Sequence, residues 1–101
     1  MANFHSLEME VIRHAEANKL LEINPVNFAG DTVIFTVAEL CTAIVDGKPS
    51  VVSDAMGRVA MQMIILCAML DIDLSKCLEQ AFAKISAKPE APSNILFLKK
   101  E

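Results

Sequence analysis

A chain of 101 residues has room for one folded domain and not for two. Its apolar share is 53%, yet only 5% is aromatic, with no Trp or Tyr, so the core material is Leu, Ile, Val, Ala and Met, which suits helix packing. A net charge of −4 and the absence of any basic run argue against nucleic acid as a partner.

The first helix is expected over residues 6–22. Leu7, Val11, Ala15 and, one turn on, Asn18 and Leu21 follow helical spacing, Ser6 stands as its cap, and Glu8 and Glu10 suit the positive end of the dipole. Asn24-Pro25 ends it, because proline lacks an N–H and disfavours helix at the residue before it. Residues 26–30 read as a connector.

Asp31 is the expected cap of a second helix running to about Val45. The β-branched stretch 32–37 has strand character, but Val33, Val37, Leu40 and Ile44 share one helical stripe. Asp46-Gly47-Lys48-Pro49 is a turn with a glycine stop. Ser50 or Ser53 is expected to cap a third, long helix ending near Leu70. Asp73 caps a fourth, from Leu74 to about Ser86, with Leu74, Cys77, Leu78, Ala81, Phe82 and Ile85 as its apolar stripe.

Pro89 and Pro92 mark a linker, and Ile95 to Leu98 form an apolar tail. The domain expectation is therefore a helical unit over 1–88 and a tail over 89–101.

Three features bear on location and assembly. The start of the chain lacks the basic and apolar pattern of a secretory signal, and the longest apolar stretch, 59–70, is interrupted by Gln62 and too short to span a bilayer. The expectation is a cytoplasmic protein with no membrane partner. Cys41, Cys67 and Cys77 are odd in number, have apolar neighbours and form no Cys-x-x-Cys pair, so buried, reduced thiols are expected. A mean hydropathy of +0.41 is high for so small a soluble chain, and stretch 59–70 lacks a wet face, so a homo-oligomer is expected, a dimer or a dimer of dimers.

Segments 38–44 and 53–59, followed by Leu70-Asp71-Ile72-Asp73-Leu74, resemble the MazG-like, all-α nucleoside triphosphate pyrophosphohydrolases. The stretch 64–74 and the run from Cys77 to Phe82 are most similar to phage-type members. The resemblance covers about residues 11–88 and implies an all-α, four-helix bundle. In that family one helix carries Glu-x-x-Glu and the next Glu-x-x-Asp, and the four carboxylates hold Mg²⁺ on the triphosphate. Carboxylates three apart on a helix share a face, so two such helices side by side enclose a metal cluster.

Here the matching positions are Thr36, Glu39, Ala55 and Arg58. A lysine that often sits one turn earlier in the family falls on Thr32. Thr36 is a weak Mg²⁺ ligand, Ala55 is none, and Arg58 places a fixed cation where the metal belongs. The resemblance thus implies a degenerate metal site with no catalytic residue, no metal and no cofactor. Glu39 and Arg58 are expected to pair across the two helices, or Arg58 to serve as an anion-binding group.

The expected function is non-catalytic binding of a protein partner or a nucleotide-like anion. Two alternatives stay open. One is a Mg²⁺-dependent pyrophosphohydrolase with ligands drawn from Glu16, Asp54 or another subunit; the other is an unrelated helical adaptor. The plainer reading of Glu39 and Arg58 is as surface charges, with Ser53, Asp54 and Arg58 as one polar edge. His5 and His14 are isolated, and Met61, Met63 and Met69 read as packing residues. No serine–histidine–aspartate pattern or glycine-rich phosphate loop competes.

Overall fold

The structure, a computed structural model, describes residues 3–87. It is all-α, with four helices and no strand among the described residues. The expected linker and tail over 89–101 lie outside them.

Helix α1 spans Phe4–Ala17 and not 6–22. Its cap is Asn3, whose Oδ1 accepts from the Ser6 amide at 2.8 Å, so Ser6 is already inside the helix. It ends early because Asn18 turns its side-chain amide back onto the His14 carbonyl at 2.8 Å, and Lys19 takes a left-handed conformation at φ 60°. A short 3₁₀ turn, Leu20–Glu22, then brings Leu20 and Leu21 against the core.

The expected connector at 26–30 is helical. Helix α2 runs unbroken over Pro25–Asp46. Asn24 caps it by accepting from the Val26 amide at 2.8 Å, and Pro25 occupies the first turn, where its missing N–H costs nothing. Asn24-Pro25 therefore both stops one helix and starts the next. Asp31, expected as the cap, lies in a π turn over Ala29–Val33. That turn shifts the helical register by a fraction of a turn and lets Phe28 and Val33 both enter the core.

Gly47 ends α2 in the left-handed conformation at φ 66°. The Gly47 amide donates to the Ile44 carbonyl and the Lys48 amide to the Ala43 carbonyl, which satisfies the final carbonyls.

Helix α3 covers Pro49–Met69, with Pro49 in its first turn and no side-chain cap; Ser50 and Ser53 are interior positions and cap nothing. It ends in the same way as α2, with Asp71 at φ 57° in place of glycine and the Ile72 amide donating to the Cys67 carbonyl at 2.8 Å. Helix α4 spans Leu74–Ser86, and Asp73 caps it as expected, accepting from the Ser75 and Lys76 amides.

The main core joins Ala15 of α1, Phe28 and Val33 of α2 and Ile65 of α3, with Val11, Leu20, Leu21, Met63, Leu66 and Met69 packed around them. Along the α2–α3 contact, Ala43 and Ala55 are buried, and small side chains there let the two backbones approach closely. The apolar stretch 59–70 thus finds much of its cover within the chain: Ile64 and Ile65 are buried and most of its other residues half-buried. Met61 and Leu70 of this stretch stay exposed, and the apolar side chains more than half exposed are Phe4 on α1, Val26, Ile34, Phe35, Ile44 and Val45 on α2, Met56 on α3 and Leu78 and Phe82 on α4.

Helices α2 and α3 are each long and apolar enough, by length and composition, to cross a membrane, which the reading of 59–70 alone does not reveal.

Candidate functional site: a polar ladder between α2 and α3

The four positions implied by the resemblance fall on the two helices that make the most extensive contact in the chain. Thr36 and Ala55 are buried; Glu39 and Arg58 reach the surface. Two layers of polar contacts cross the helix pair.

In the inner layer, the Thr36 hydroxyl donates to the Thr32 carbonyl one turn earlier at 3.1 Å. Gln62 of α3 donates its amide N–H to Thr36 Oγ1 at 2.9 Å. The Thr36 hydroxyl hydrogen is already committed, so Thr36 can only accept from Gln62, and this sets which way the amide faces. Gln62 Oε1 is then a buried acceptor with no hydrogen-bond partner among the described residues.

In the outer layer, Arg58 donates from Nη1 to Glu39 Oε1 at 3.0 Å and from Nε to Asp54 Oδ2 at 3.0 Å. The contact to Asp54 is within one turn of α3, whereas the contact to Glu39 joins α3 to α2. The guanidinium is 37% exposed, Glu39 49% and Asp54 69%, so these are water-facing ion pairs. Hydrogen bonding to Glu39, and next to Asp54, raises the Arg58 pKa further above its ordinary value, so the cation is permanent. One guanidinium is shared by two carboxylates, which leaves the cluster with a formal charge of −1.

Beside this ladder is a cleft of about 360 Å³. Its lining is mostly apolar, from Leu20, Ile23, Phe28, Met61 and Ile65, with His14, Thr32, Arg58 and Gln62 supplying polar groups. The π turn sets Phe28 and Thr32 on this side of α2. Met61, expected as packing material, is largely exposed there.

Gln62 is the residue that reading the sequence passes over. It registers only as a break in an apolar stretch, although it follows Arg58 by four residues and so shares its face. The Glu16 side chain makes no hydrogen bond or ion pair with the ladder among the described residues. Among the described residues, no group of three or more His, Cys, Asp or Glu side chains is arranged to hold a metal ion.

The cysteines are unpaired thiols but not the buried ones expected: Cys41 and Cys77 are exposed and Cys67 is half-buried, because the first two lie on helix faces turned away from the core. Burial pushes the Cys67 pKa up, with smaller contributions from nearby Cys77, Glu8 and Asp73. Comparison of this chain with protein-family models, with curated proteins and with solved structures finds no match.

Proposed function

We propose that this chain is a non-catalytic protein built on a MazG-like helical scaffold, in the cytoplasm, and that it works by binding protein rather than by turning over nucleotide. The observation that carries this reading is the placement of Arg58 between Glu39 and Asp54. In the family it resembles, that position belongs to an aspartate that holds Mg²⁺. Here the two nearest carboxylates are already engaged by a cation, and a second cation at the same place would be repelled.

Exposed apolar side chains on α2 and on α4 support association as the working mode. Water-facing charges midway along α2 and α3 support an aqueous location, since Glu39, Asp54 and Arg58 in hydrocarbon would be costly.

A second reading has one observation in its favour: Arg58 lines the 360 Å³ cleft, where a nucleotide-like anion would meet its guanidinium. The formal charge of −1 on the Arg58 cluster weighs against it.

Incubation of the pure protein with each common NTP and dNTP, with Mg²⁺ or Mn²⁺, tests the proposal. Pyrophosphate release at background is expected, and robust turnover overturns it. A thermal shift with nucleotide but without turnover would favour the anion-binding reading instead.

A further inference from the structure

The cleft beside the ladder lies where both irregular stretches of backbone face α3. The 3₁₀ turn supplies Leu20, the π turn and its entry supply Thr32 and Phe28, and α3 supplies Arg58 and Gln62. Single π turns inside α-helices are uncommon and gather at functional sites. Phe28 and Ile65 are buried, while Ile23 and Met61 on the same lining stand 39% and 42% exposed, so a molecule held there would cover them.

We propose that this cleft binds a small neutral molecule with an apolar body and a carboxamide head. The carbonyl of the head accepts from Arg58, and its N–H donates to Gln62 Oε1. This site goes beyond the non-catalytic reading and does not depend on it.

Three observations select that chemistry. The first is the pattern of unused hydrogen-bonding groups. A guanidinium has five N–H groups; Arg58 spends one on Asp54 and one on Glu39, which leaves three without a partner among the described residues. Gln62 follows Arg58 by four residues on the same face and carries the unpartnered acceptor Oε1. A head that meets both must accept at one point and donate beside it, as an amide does.

The second is charge. Arg58 is the one permanently charged residue on the lining, and Glu39 and Asp54 already share it. An incoming anion competes with two seated carboxylates, and an incoming cation meets the guanidinium. A neutral head avoids both costs.

The third is the cost of Gln62 itself. A buried acceptor without a partner lowers stability, and methionine would fill the same space without that penalty. A polar group that is unfavourable for folding is expected where a ligand completes it. Oε1 has already lost its water, so a ligand N–H displaces none in reaching it. Oε1 is covered in this structure, and the unbranched, flexible Met61 on the same lining supplies the side-chain shift that admits the donor.

Size sets the body. At about 360 Å³ the cleft is a little over twice the ~150 Å³ cavity that holds benzene, which suits a fused pair of rings.

Naphthamide is the probe, titrated into the isotope-labelled full-length chain and followed by amide NMR. Saturable shifts are expected at Phe28, Thr32 and Ile65 and at the Gln62 side-chain amide. The N,N-dimethyl amide keeps the carbonyl and lacks the N–H, and it is expected to bind about tenfold more weakly, near the worth of one hydrogen bond. Naphthoate and methylnaphthalene are expected to bind more weakly than naphthamide too. Gln62→Met is expected to weaken naphthamide about tenfold and to leave the dimethyl amide unchanged, while far-UV circular dichroism keeps its helical signal. No saturable shift with naphthamide or with the smaller benzamide overturns the proposal, as do shifts centred away from the cleft. Naphthoate binding as tightly as naphthamide overturns the neutral head. Equal losses of both amides in Gln62→Met would mean that Gln62 only shapes the wall, and they overturn its role as acceptor. Background nucleotide turnover alongside any of these failures leaves the non-catalytic reading standing.

Discussion

Gln62 offers a sharp test of the inner polar layer. Its amide N–H is used on Thr36 Oγ1, while its Oε1 is buried without a hydrogen-bond partner among the described residues. A buried acceptor left in that state costs about 1–3 kcal/mol, and the one hydrogen bond the amide makes returns about 1 kcal/mol net. Methionine has a similar unbranched stem and volume and no demand for a partner. Gln62→Met is therefore expected to be neutral to stabilising, by roughly 0–2 kcal/mol. In a domain of this size, 1 kcal/mol corresponds to a melting shift of about 4–8 °C. Thr36→Val acts in the opposite direction. It removes the acceptor for the Gln62 amide and leaves both ends of that amide unsatisfied, at a cost of about 1–3 kcal/mol. The double variant Thr36→Val with Gln62→Met should recover most of that loss, as coupled partners do. Urea unfolding followed by far-UV circular dichroism measures all three, since the chain has no Trp or Tyr to report by fluorescence. Chain concentration is held fixed, because assembly would otherwise shift the midpoint. Destabilisation by Gln62→Met of more than about 1 kcal/mol would refute the reasoning, because it would mean that Oε1 has a partner whose loss is felt.

Other expectations follow from backbone, charge and thiol exposure. Lys19 and Asp71 sit at φ 60° and 57°, so Lys19→Gly and Asp71→Gly should each stabilise by about 1 kcal/mol in the same denaturation assay; a loss at both would contradict the left-handed assignment. Arg58→Ala and Glu39→Ala in a double-mutant cycle should show a coupling that shrinks as salt is raised, because the pair is water-facing; strict additivity at low salt would mean that Arg58 does not join the two helices. Dilute protein treated with a small maleimide should lose Cys41 and Cys77 first and Cys67 last, because Cys67 is half-buried and its thiolate is disfavoured; fast modification of Cys67 in folded protein would overturn that order.

Local chemistry was legible in the chain wherever one residue type has one physical use. Gly47 ends a helix because only a residue free to take positive φ does so at no steric cost, and Asp73 begins one because its carboxylate reaches two free amides. The apolar period of α4 and the all-α class are legible for the same reason, since helical spacing is a property of the backbone.

Helix limits that depend on competing caps were not legible. Asn3, Asn24 and Pro49 took the starts expected of Ser6, Asp31 and Ser50 or Ser53, because several short polar residues stand near each boundary and packing selects among them. The π turn at Ala29–Val33 also had no local signal; it is a register correction that brings Phe28 and Val33 into one core.

The contact between Glu39 and Arg58 joins residues 19 apart, so only the packing of α2 on α3 creates it. The same packing turned Gln62 from an interruption in an apolar stretch into the partner of a buried hydroxyl. Burial showed the same division. Apolar content alone assigned the uncovered surface to residues 59–70, but the fold turned Ile64 and Ile65 inward and left Ile34, Phe35 and Val45 of α2 and Leu78 and Phe82 of α4 more than half exposed. Composition counts apolar side chains, and only the three-dimensional arrangement of the helices decides which of them find a neighbour.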